Sequence, residues 1–508
     1  MSLRYLLGID IGSGACKTTL IDFRGRPVYT AAHEYPTYYP RAGWAEQKPD
    51  DWYHALCDAV SEMKRCDWPV SEIAAICLSA PTHTAVLLDG DFRVLRRAIL
   101  WTDQRSAPQA ERLEREYGKS ILEITHNRVD PVWTLPQLLW IKEHEPEVWK
   151  KVAFVLFAKD YVRWRLTGTY VTDSIEALGS MLFDARRECW SEELCGLLGL
   201  PVEKLPPVVA PAEVVGQVTQ QAAQMTGLQQ GTPVIAGATD TALEVFAAGA
   251  AKTGQSTIKL ATAGRICVIT DRACAHPHLF NYPHVVPGKW YPGTGTKSCA
   301  SSFRWLRDAF YSHEYALARD SGTSIYEMID EEAAQVPMGA EGLVFHPYLL
   351  GELSPYGDPY LKGDFIGITM RHTRAHFARA VLEGVAFSLL DSLSVFKEVG
   401  LEPQDLRIIG GGARSPLWRQ IMSDVLGRPL SEPVTADSSY GGAILAGVGI
   451  GVFRDVAMAA TQCVRMANHM VPNMENHHRY AALFDIYKEA HDNLAGTYRR
   501  LSDVLACK

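Results

Sequence analysis

Asp10 is the first residue whose surroundings invite chemistry. It closes the apolar run of "LLGIDIGSGACKTTLID" (residues 6–22) and stands just before a turn of small residues, Gly12, Ser13 and Gly14. The spacing matches neither G-x-x-x-x-G-K-[S/T] nor G-x-G-x-x-G, and both of those patterns open a helix. The next stretch, "KTTLID", is β-branched and alternating, so it reads as a strand, and the unit reads as a hairpin. A turn of Gly and Ser exposes backbone N–H groups that can form an anion-binding nest. An ordinary hairpin turn fits the same spacing.

Other strand ends carry polar residues in comparable places. In "GATDTALEVF", Asp240 closes a buried run where a helix begins. Asp is a favoured N-cap, which is the plain reading. Thr241 and Glu244, however, make a T-x-x-E capping box of their own. If Thr241 caps the helix, the Asp240 carboxylate is left at the mouth of a strand, suited to act as a general base on a substrate hydroxyl. "SAPTHTAV" sets His83 among small residues, as a packed core histidine or a ligand contact. "ILWTDQR" places Trp101, Asp103 and Arg105 after a strand, the polar groups and aromatic wall that a polyhydroxyl ligand needs. "IIGGGARSPLWRQ" ends a strand in Gly410, Gly411 and Gly412 and then opens a helix with Pro416 at its first position.

The elements that must position these residues alternate between strand and helix. "IAAICLSA" is a buried strand, and "HTAVLLD" and "RRAILW" are expected to continue its sheet. "DDWYHALCDAVSEMKR", "TLPQLLWIKEHEPEVWKKV" and "KDYVRWRLTG" have the helical period. Near mid-chain "QSTIKLATAGRICVIT" repeats the opening pattern of strand, small-residue turn and strand, with Thr262 in the turn. Helices, the strand "LRIIGGGA" and the helix "SPLWRQIMSDVLG" come after it. Two echoing halves predict a pair of α/β domains with a cleft between them, each offering a hairpin that grips phosphate.

Bulk properties exclude several classes. A chain of 508 residues exceeds a single hydrophobic core. A net charge of −8 without a basic cluster argues against nucleic acid as a partner. There is no apolar run of about 18 residues, so no membrane span is expected. The first strand begins too early for a signal peptide. The 11 cysteines are scattered and form no C-x-x-C pair, as expected of small buried hydrophobes in a reducing cytoplasm. The histidine-rich stretches "CAHPHLF" and "ENHHRY" lack the helical pairing with an acid that a metal site uses.

Together these stretches resemble the FGGY family of carbohydrate kinases, in particular its xylulokinase-like branch. The likeness runs nearly end to end, through "GIDIGSGACK", "GWAEQKPDDWY", "ILWTDQR", "KDYVRWRLTG", "GATDTALE", "PYLLGELSPYGDP", "GGGARSPLWRQIMSDVLGRP" and "SYGGAILAGVG". The resemblance implies two ribonuclease-H-like domains of the sugar kinase, actin and Hsp70 superfamily flanking a catalytic cleft. The expected division is residues 1–246 for sugar and phosphate and residues 247–508 for nucleotide, ending in a C-terminal helix. It also implies transfer of the γ-phosphoryl group of ATP to a sugar hydroxyl, with a ketopentose such as D-xylulose as substrate, in a cytoplasmic enzyme with a homodimer as one assembly. Carried over by position, Asp240 is the catalytic base and a substrate contact, and Asp10 holds Mg2+. Gly12, Ser13, Gly14, Lys17 and Thr262 lie near the phosphates. Gly411, Gly412 and Ala413 pass beside the nucleoside. His83, Trp101 and Asp103 belong to the sugar pocket.

Two departures bear on substrate and phosphate. Where xylulokinases typically read "GQMHG" this chain has "APTHT", so Pro81 and Thr82 precede the retained His83. Where "LGTSG" is usual the chain has "LATAG", which keeps Thr262. Other readings are a kinase of ribulose, gluconate or a polyol, an ATPase switch of the actin or Hsp70 kind, or a sugar sensor without activity. The glycerol-kinase stretch "NQRET" is absent.

Overall fold

The computed structural model describes residues 3–506. It divides into two compact units. The first comprises Met1–Lys252, Thr270–Tyr291 and Thr435–Arg465, and the second Thr253–Ile269, Pro292–Val434 and Met466–Lys508.

The first unit is built on a mixed sheet of seven strands, β1 (Tyr5–Ile11), β2 (Ala15–Asp22), β3 (Pro27–Glu34), β4 (Ile73–Ala80), β5 (Val214–Gln217), β6 (Pro233–Ile235) and β7 (Ala238–Thr239). Their spatial order is β3-β2-β1-β4-β6-β5, with β7 also along β4. The meander β1–β2–β3 is antiparallel, β4 and β6 continue parallel, and β5 closes the edge antiparallel. The predicted hairpin forms, with Asp10 paired to Lys17 and Ile11 to Cys16.

Strand alternation sorts the side chains of β1 onto two faces. Leu7, Ile9 and Ile11 join a core with Trp52, Leu56 and Val60 from the helix Pro49–Arg65 and with Tyr161 and Val162 from Ala158–Thr167. Gly8 and Asp10 face the other way, toward the helix Ser438–Gly449. At Gly8 a Cβ would lie 1.7 Å from the Ser439 carbonyl oxygen, so only glycine lets the helix's first turn rest on the strand. Asp10, one pleat further on, meets that first turn. All eight residues of β4 are buried, as a central strand covered on both faces requires.

Two expected strands take other places. Ala85–Leu88 pairs with Phe154–Phe157, and Ala98–Ile99 with Glu46–Gln47, each in a separate two-stranded sheet. The edge of β4 that they were expected to extend is taken by β6 and β7, which run parallel to it. The buried run that Asp240 closes is itself divided, into β6 and β7.

The second unit repeats the plan with β8 (Gln255–Leu260), β9 (Gly264–Val268), β10 (Gly293–Thr296), β11 (Gln404–Ile409), β12 (Leu430–Pro433) and β13 (Met466–Met470). The order is β10-β9-β8-β11-β12-β13. An antiparallel meander, two parallel strands and an antiparallel edge recur in the same sequence of directions. The 25-residue helix Arg374–Glu398 is buried along most of its length, and Met474–Ala506 is the C-terminal helix. Among the described residues no helix is long and apolar enough to cross a membrane, and the ten described cysteines are free.

Candidate active site

Three neighbouring parallel strands of the first unit end side by side. Asp10 of β1 pairs with Ser79 of β4, and Ser79 pairs with Ala238 of β7. Thr239 then takes the N-cap position of the helix Asp240–Ala247, without a capping bond from its side chain, which puts Asp240 in the first turn. The sheet thus brings Asp10 and Asp240 to one end, where ligands of open α/β sheets bind. The Ser79 hydroxyl donates to Asp10 Oδ1 at 2.8 Å. The Asp10 carboxyl is pushed up to about 7, by burial first and then by the charge of Asp240; hydrogen bonds from Ser79 and Ser438 pull it down, and Glu244 adds to the rise. The charge of Asp240 thus acts directly on Asp10 at this strand end.

The expected capping box at Thr241 and Glu244 does not form, because the helix starts two residues earlier, with Thr239 at the N-cap position. Thr241 instead holds the acid. Its backbone N–H and its hydroxyl both donate to Asp240 Oδ1, at 2.6 and 3.3 Å.

The Gly12–Gly14 turn is fixed from behind. Tyr35 donates to the Gly12 carbonyl, Gln47 Nε2 donates to the Ser13 carbonyl at 2.7 Å, and Ser13 and Gly14 are exposed. The Trp101 indole N–H donates to Ser13 Oγ at 3.2 Å, which ties that aromatic wall to the turn. Trp101 is 38% exposed. Lys17 Nζ lies 3.0 Å from Asp437 Oδ2, and Asp437 also caps the helix Ser438–Gly449. Lys17 is therefore anchored beside the turn by an acid 420 positions away.

Asp103 departs from the expected sugar contact. It is 0% exposed, and its oxygens accept from Arg105 Nε at 2.9 Å, Arg105 Nη2 at 2.7 Å and the Ala45 backbone at 2.6 Å. The Arg105 guanidinium in turn lies 3.8 Å from the Trp44 ring centre. With its acceptor sites facing protein donors, Asp103 braces the loop that presents Trp101.

His83 is buried, with a backbone φ of +77°. Its N–H donates to Glu176 Oε1 at 3.3 Å, and its carbonyl accepts from Thr134 Oγ1 at 3.0 Å. Ring Nδ1 donates to the Gly179 carbonyl at 2.5 Å, which leaves Nε2 as the acceptor 3.2 Å from the Tyr282 hydroxyl. The Trp133 ring stands edge-on to it at 4.6 Å.

In the second unit, Thr262 is exposed in the turn between β8 and β9. Its carbonyl accepts from the Cys299 N–H at 3.0 Å and from Ser301 Oγ at 2.8 Å, at the start of the helix Ala300–Phe310. Gly411, Gly412 and Ala413 form a short 3₁₀ turn after β11. A side chain at Gly411 would meet no atom within 4 Å, and Ala413 is buried with its carbonyl accepting from Arg419 at 2.6 Å. Lys259 and Ile409 are register partners, so both turns leave the same end of that unit's sheet.

Comparison with known proteins decides the family. Residues 5–247 match the family model for the N-terminal domain of FGGY carbohydrate kinases, and residues 253–450 match that for the C-terminal domain. The chain belongs to the FGGY family of carbohydrate kinases. It is 35% identical to a xylulose kinase of Bacillus subtilis over 96% of each chain. It is 28% identical to a gluconokinase of Bacillus licheniformis over 98% of each. The crystal structure of xylulose kinase from Rhodospirillum rubrum matches with a TM-score of 0.89 and 31% identity, covering 98% of this chain and 100% of that one. The repeated sheet is therefore the two-domain sugar kinase fold shared with actin and Hsp70, and the enzyme uses ATP to phosphorylate a sugar.

Several residues of this FGGY kinase's site had no part in the sequence reading. Ser79 carried a readable signal, as a hydroxyl near the end of a buried strand. Ser438 and Asp437 meet Asp10 and Lys17 only through the fold, and Trp133, Glu176 and Tyr282 reach His83 from three separate segments.

Proposed function

We propose that this kinase transfers the γ-phosphoryl group of ATP to a hydroxyl of a ketopentose, D-xylulose, with Asp240 as general base. The observation that carries the reading is the acidic pair Asp10 and Asp240, set side by side at one sheet end, with Asp10 pushed up to about 7. The xylulose kinase relatives support the choice of sugar. In this reading residues 1–246 hold sugar and phosphate and residues 247–508 hold nucleotide.

The donors fit magnesium. They are hard carboxylate and hydroxyl oxygens, and one or two carboxylates suffice when water and phosphate supply the rest. Asp10 would hold the ion. When bound, magnesium offsets the charge of the phosphate oxygens. The protein's own part is positioning, together with charge placed where it is needed. Asp240, braced by Thr241, accepts the proton of the sugar hydroxyl as it attacks. The exposed turn at Ser13 and Gly14, together with Lys17 and Thr262, steadies phosphate oxygens. Gly411 and Gly412 let the backbone pass close to the nucleoside, with Ala413 packed beneath. The His83 ring, with the Tyr282 hydroxyl on its Nε2, and the Trp101 ring line the sugar end, and Asp103 fixes the Trp101 loop. A cytoplasmic setting agrees with the free cysteines. A homodimer stays part of the proposal, and sedimentation reads it directly.

The test is coupled ADP release across pentuloses, gluconate and polyols, repeated on Asp240→Asn. D-Xylulose should give the highest kcat/KM, and the variant should lose about 10²–10⁴-fold in kcat with nucleotide affinity kept. Full sugar-stimulated turnover by Asp240→Asn refutes the base. Preference for gluconate, the substrate named for the licheniformis relative, refutes the sugar.

A further inference from the structure

His83 adopts a backbone conformation that side chains other than glycine rarely take, so something must hold it there. Two of its hydrogen bonds come from a single six-residue helix, Ser174–Gly179. The carboxyl of Glu176 accepts the His83 backbone N–H at 3.3 Å, and the carbonyl of Gly179 accepts ring Nδ1–H at 2.5 Å. The helix is itself anchored. Asp173 caps it through the Ile175 and Glu176 N–H groups, and Lys159 Nζ lies 2.6 Å from Asp173 and 2.5 Å from Asp160. Arg163 closes the cluster, 2.8 Å from Asp160.

We propose that Glu176 is a positioning residue for the sugar end of the site: its carboxyl oxygen holds the His83 backbone in the left-handed conformation and so sets how tightly the sugar binds. The proposal rests on the reading of His83 as a sugar contact. Glu176 is fully buried, and its other oxygen, Oε2, has no hydrogen-bond partner among the described residues. A buried polar atom left without a partner is costly, and an apolar side chain of that size would avoid the cost. Packing alone therefore does not account for a carboxyl here, whereas the single bond to His83 does. Burial pushes this carboxyl well above the usual range, with Asp160 and Asp173 adding to the rise and Lys159 opposing it. A glutamine at this position keeps a side-chain oxygen of the same reach to accept the His83 N–H.

The experiment measures kcat and the separate KM values for sugar and ATP in Glu176→Met, Glu176→Gln and His83→Ala, using D-xylulose or whichever sugar the panel selects. Glu176→Met keeps the volume but has no acceptor, and should raise the sugar KM by about tenfold or more while the ATP KM moves less than about twofold. Glu176→Gln should restore the sugar KM. If Glu176→Met does not fold, Glu176→Asp, which keeps the polarity but is too short to reach His83, should show the same rise. An unchanged sugar KM in the Met or Asp variant overturns the inference. So does a parallel rise in both KM values, which would mean a general packing role. An unchanged sugar KM in His83→Ala instead overturns the reading of His83, so the two failures are told apart.

Discussion

Gly179 packs so closely on Thr82 that the proposed sugar end of the site can be perturbed and repaired by two methyl groups. A Cβ at Gly179 would lie 2.0 Å from Thr82 Cγ2, against an ordinary carbon contact of about 3.5–4.0 Å. Thr82 is buried and cannot swing into solvent, so it must push the adjoining His83 out of place. Overpacking of this kind costs about 1–3 kcal/mol, and if the strain appears in sugar binding the sugar KM of Gly179→Ala rises about 5–150-fold. Helix propensity works in the opposite direction, since alanine is favoured over glycine within a helix by about 0.5–1 kcal/mol. A loss therefore reports the clash. Thr82→Ser removes the offending Cγ2. The nearest atoms to the new Cβ are then Thr82 Cβ at 3.5 Å and Tyr282 Cε1 at 3.7 Å, both ordinary contacts. The double variant should return to within about threefold of wild type, because the coupling between touching side chains cancels most of the single effect. Steady-state kinetics with sugar and ATP varied separately, alongside thermal melts, track all three variants. If Gly179→Ala binds sugar normally, or if Thr82→Ser fails to restore binding in the double variant, the packing argument is refuted.

Two further outcomes concern the other face of β1. The Asp10 carboxyl stands higher in the folded protein, at about 7, than its ordinary 3.8, so its stabilising contribution is fully present below about pH 4 and is lost as pH rises through about 7. About 1.4 kcal/mol per tenfold over roughly three decades of acidity sets a ceiling of about 4 kcal/mol, so in chelator and without nucleotide Asp10→Asn should be more stable than wild type at pH 8 and gain little at pH 4. Urea melts at the two pH values test this, and equal differences at both contradict it. Gly8→Ala sets a Cβ 1.7 Å from the Ser439 carbonyl oxygen and 2.6 Å from the Ala443 nitrogen, both rigid backbone, so the destabilisation should reach or exceed the top of the usual range of about 1–3 kcal/mol for overpacking. A denaturation midpoint like that of wild type would show that the helix Ser438–Gly449 can lift off the strand at no cost.

The elements that sequence reading recovered are those whose period and punctuation are local. The hairpin of β1 and β2 is written in alternating β-branched residues around a Gly-Ser-Gly turn, and "IAAICLSA", apolar but for Ser79, announces a strand covered on both faces. Its echo in β8 and β9 was legible for the same reason. What period cannot encode is the partner of a strand. Ala85–Leu88 is as apolar as β4, yet it pairs with Phe154–Phe157 because β6 and β7 occupy the edge of β4. The helix at Asp240 shows a finer limit. Thr239 and Thr241 are both of the residue type that caps helices, yet the helix starts at Asp240 with no capping bond from Thr239, and Thr241 becomes a brace for the acid. Asp103 was found for the right local reason, an acid after a strand, but its use as a partner for Arg105 depends on burial that no spacing reveals.

The same contrast separates the two ends of the first unit's site. Asp10, Ser79 and the start of the Asp240 helix are neighbours because adjacent parallel strands end in register, so the sheet itself places the acids. A change among surrounding side chains leaves that register intact. His83 has no such support. It is held by Glu176 and Gly179 from one short helix, by Thr134, and by Tyr282 from a segment roughly two hundred positions away. Each of those contacts is a side chain or a close approach that one substitution can move. The chain's departures at Pro81 and Thr82 fall here and not among the acids. With His83 as the proposed sugar contact, a fold built this way exchanges one sugar for another by altering the packing around His83 while the proposed phosphoryl-transfer groups keep their places. Variants at Thr82, Glu176 and Gly179 should accordingly redistribute KM among sugars, and those at Asp10 and Asp240 should lower turnover for all of them alike.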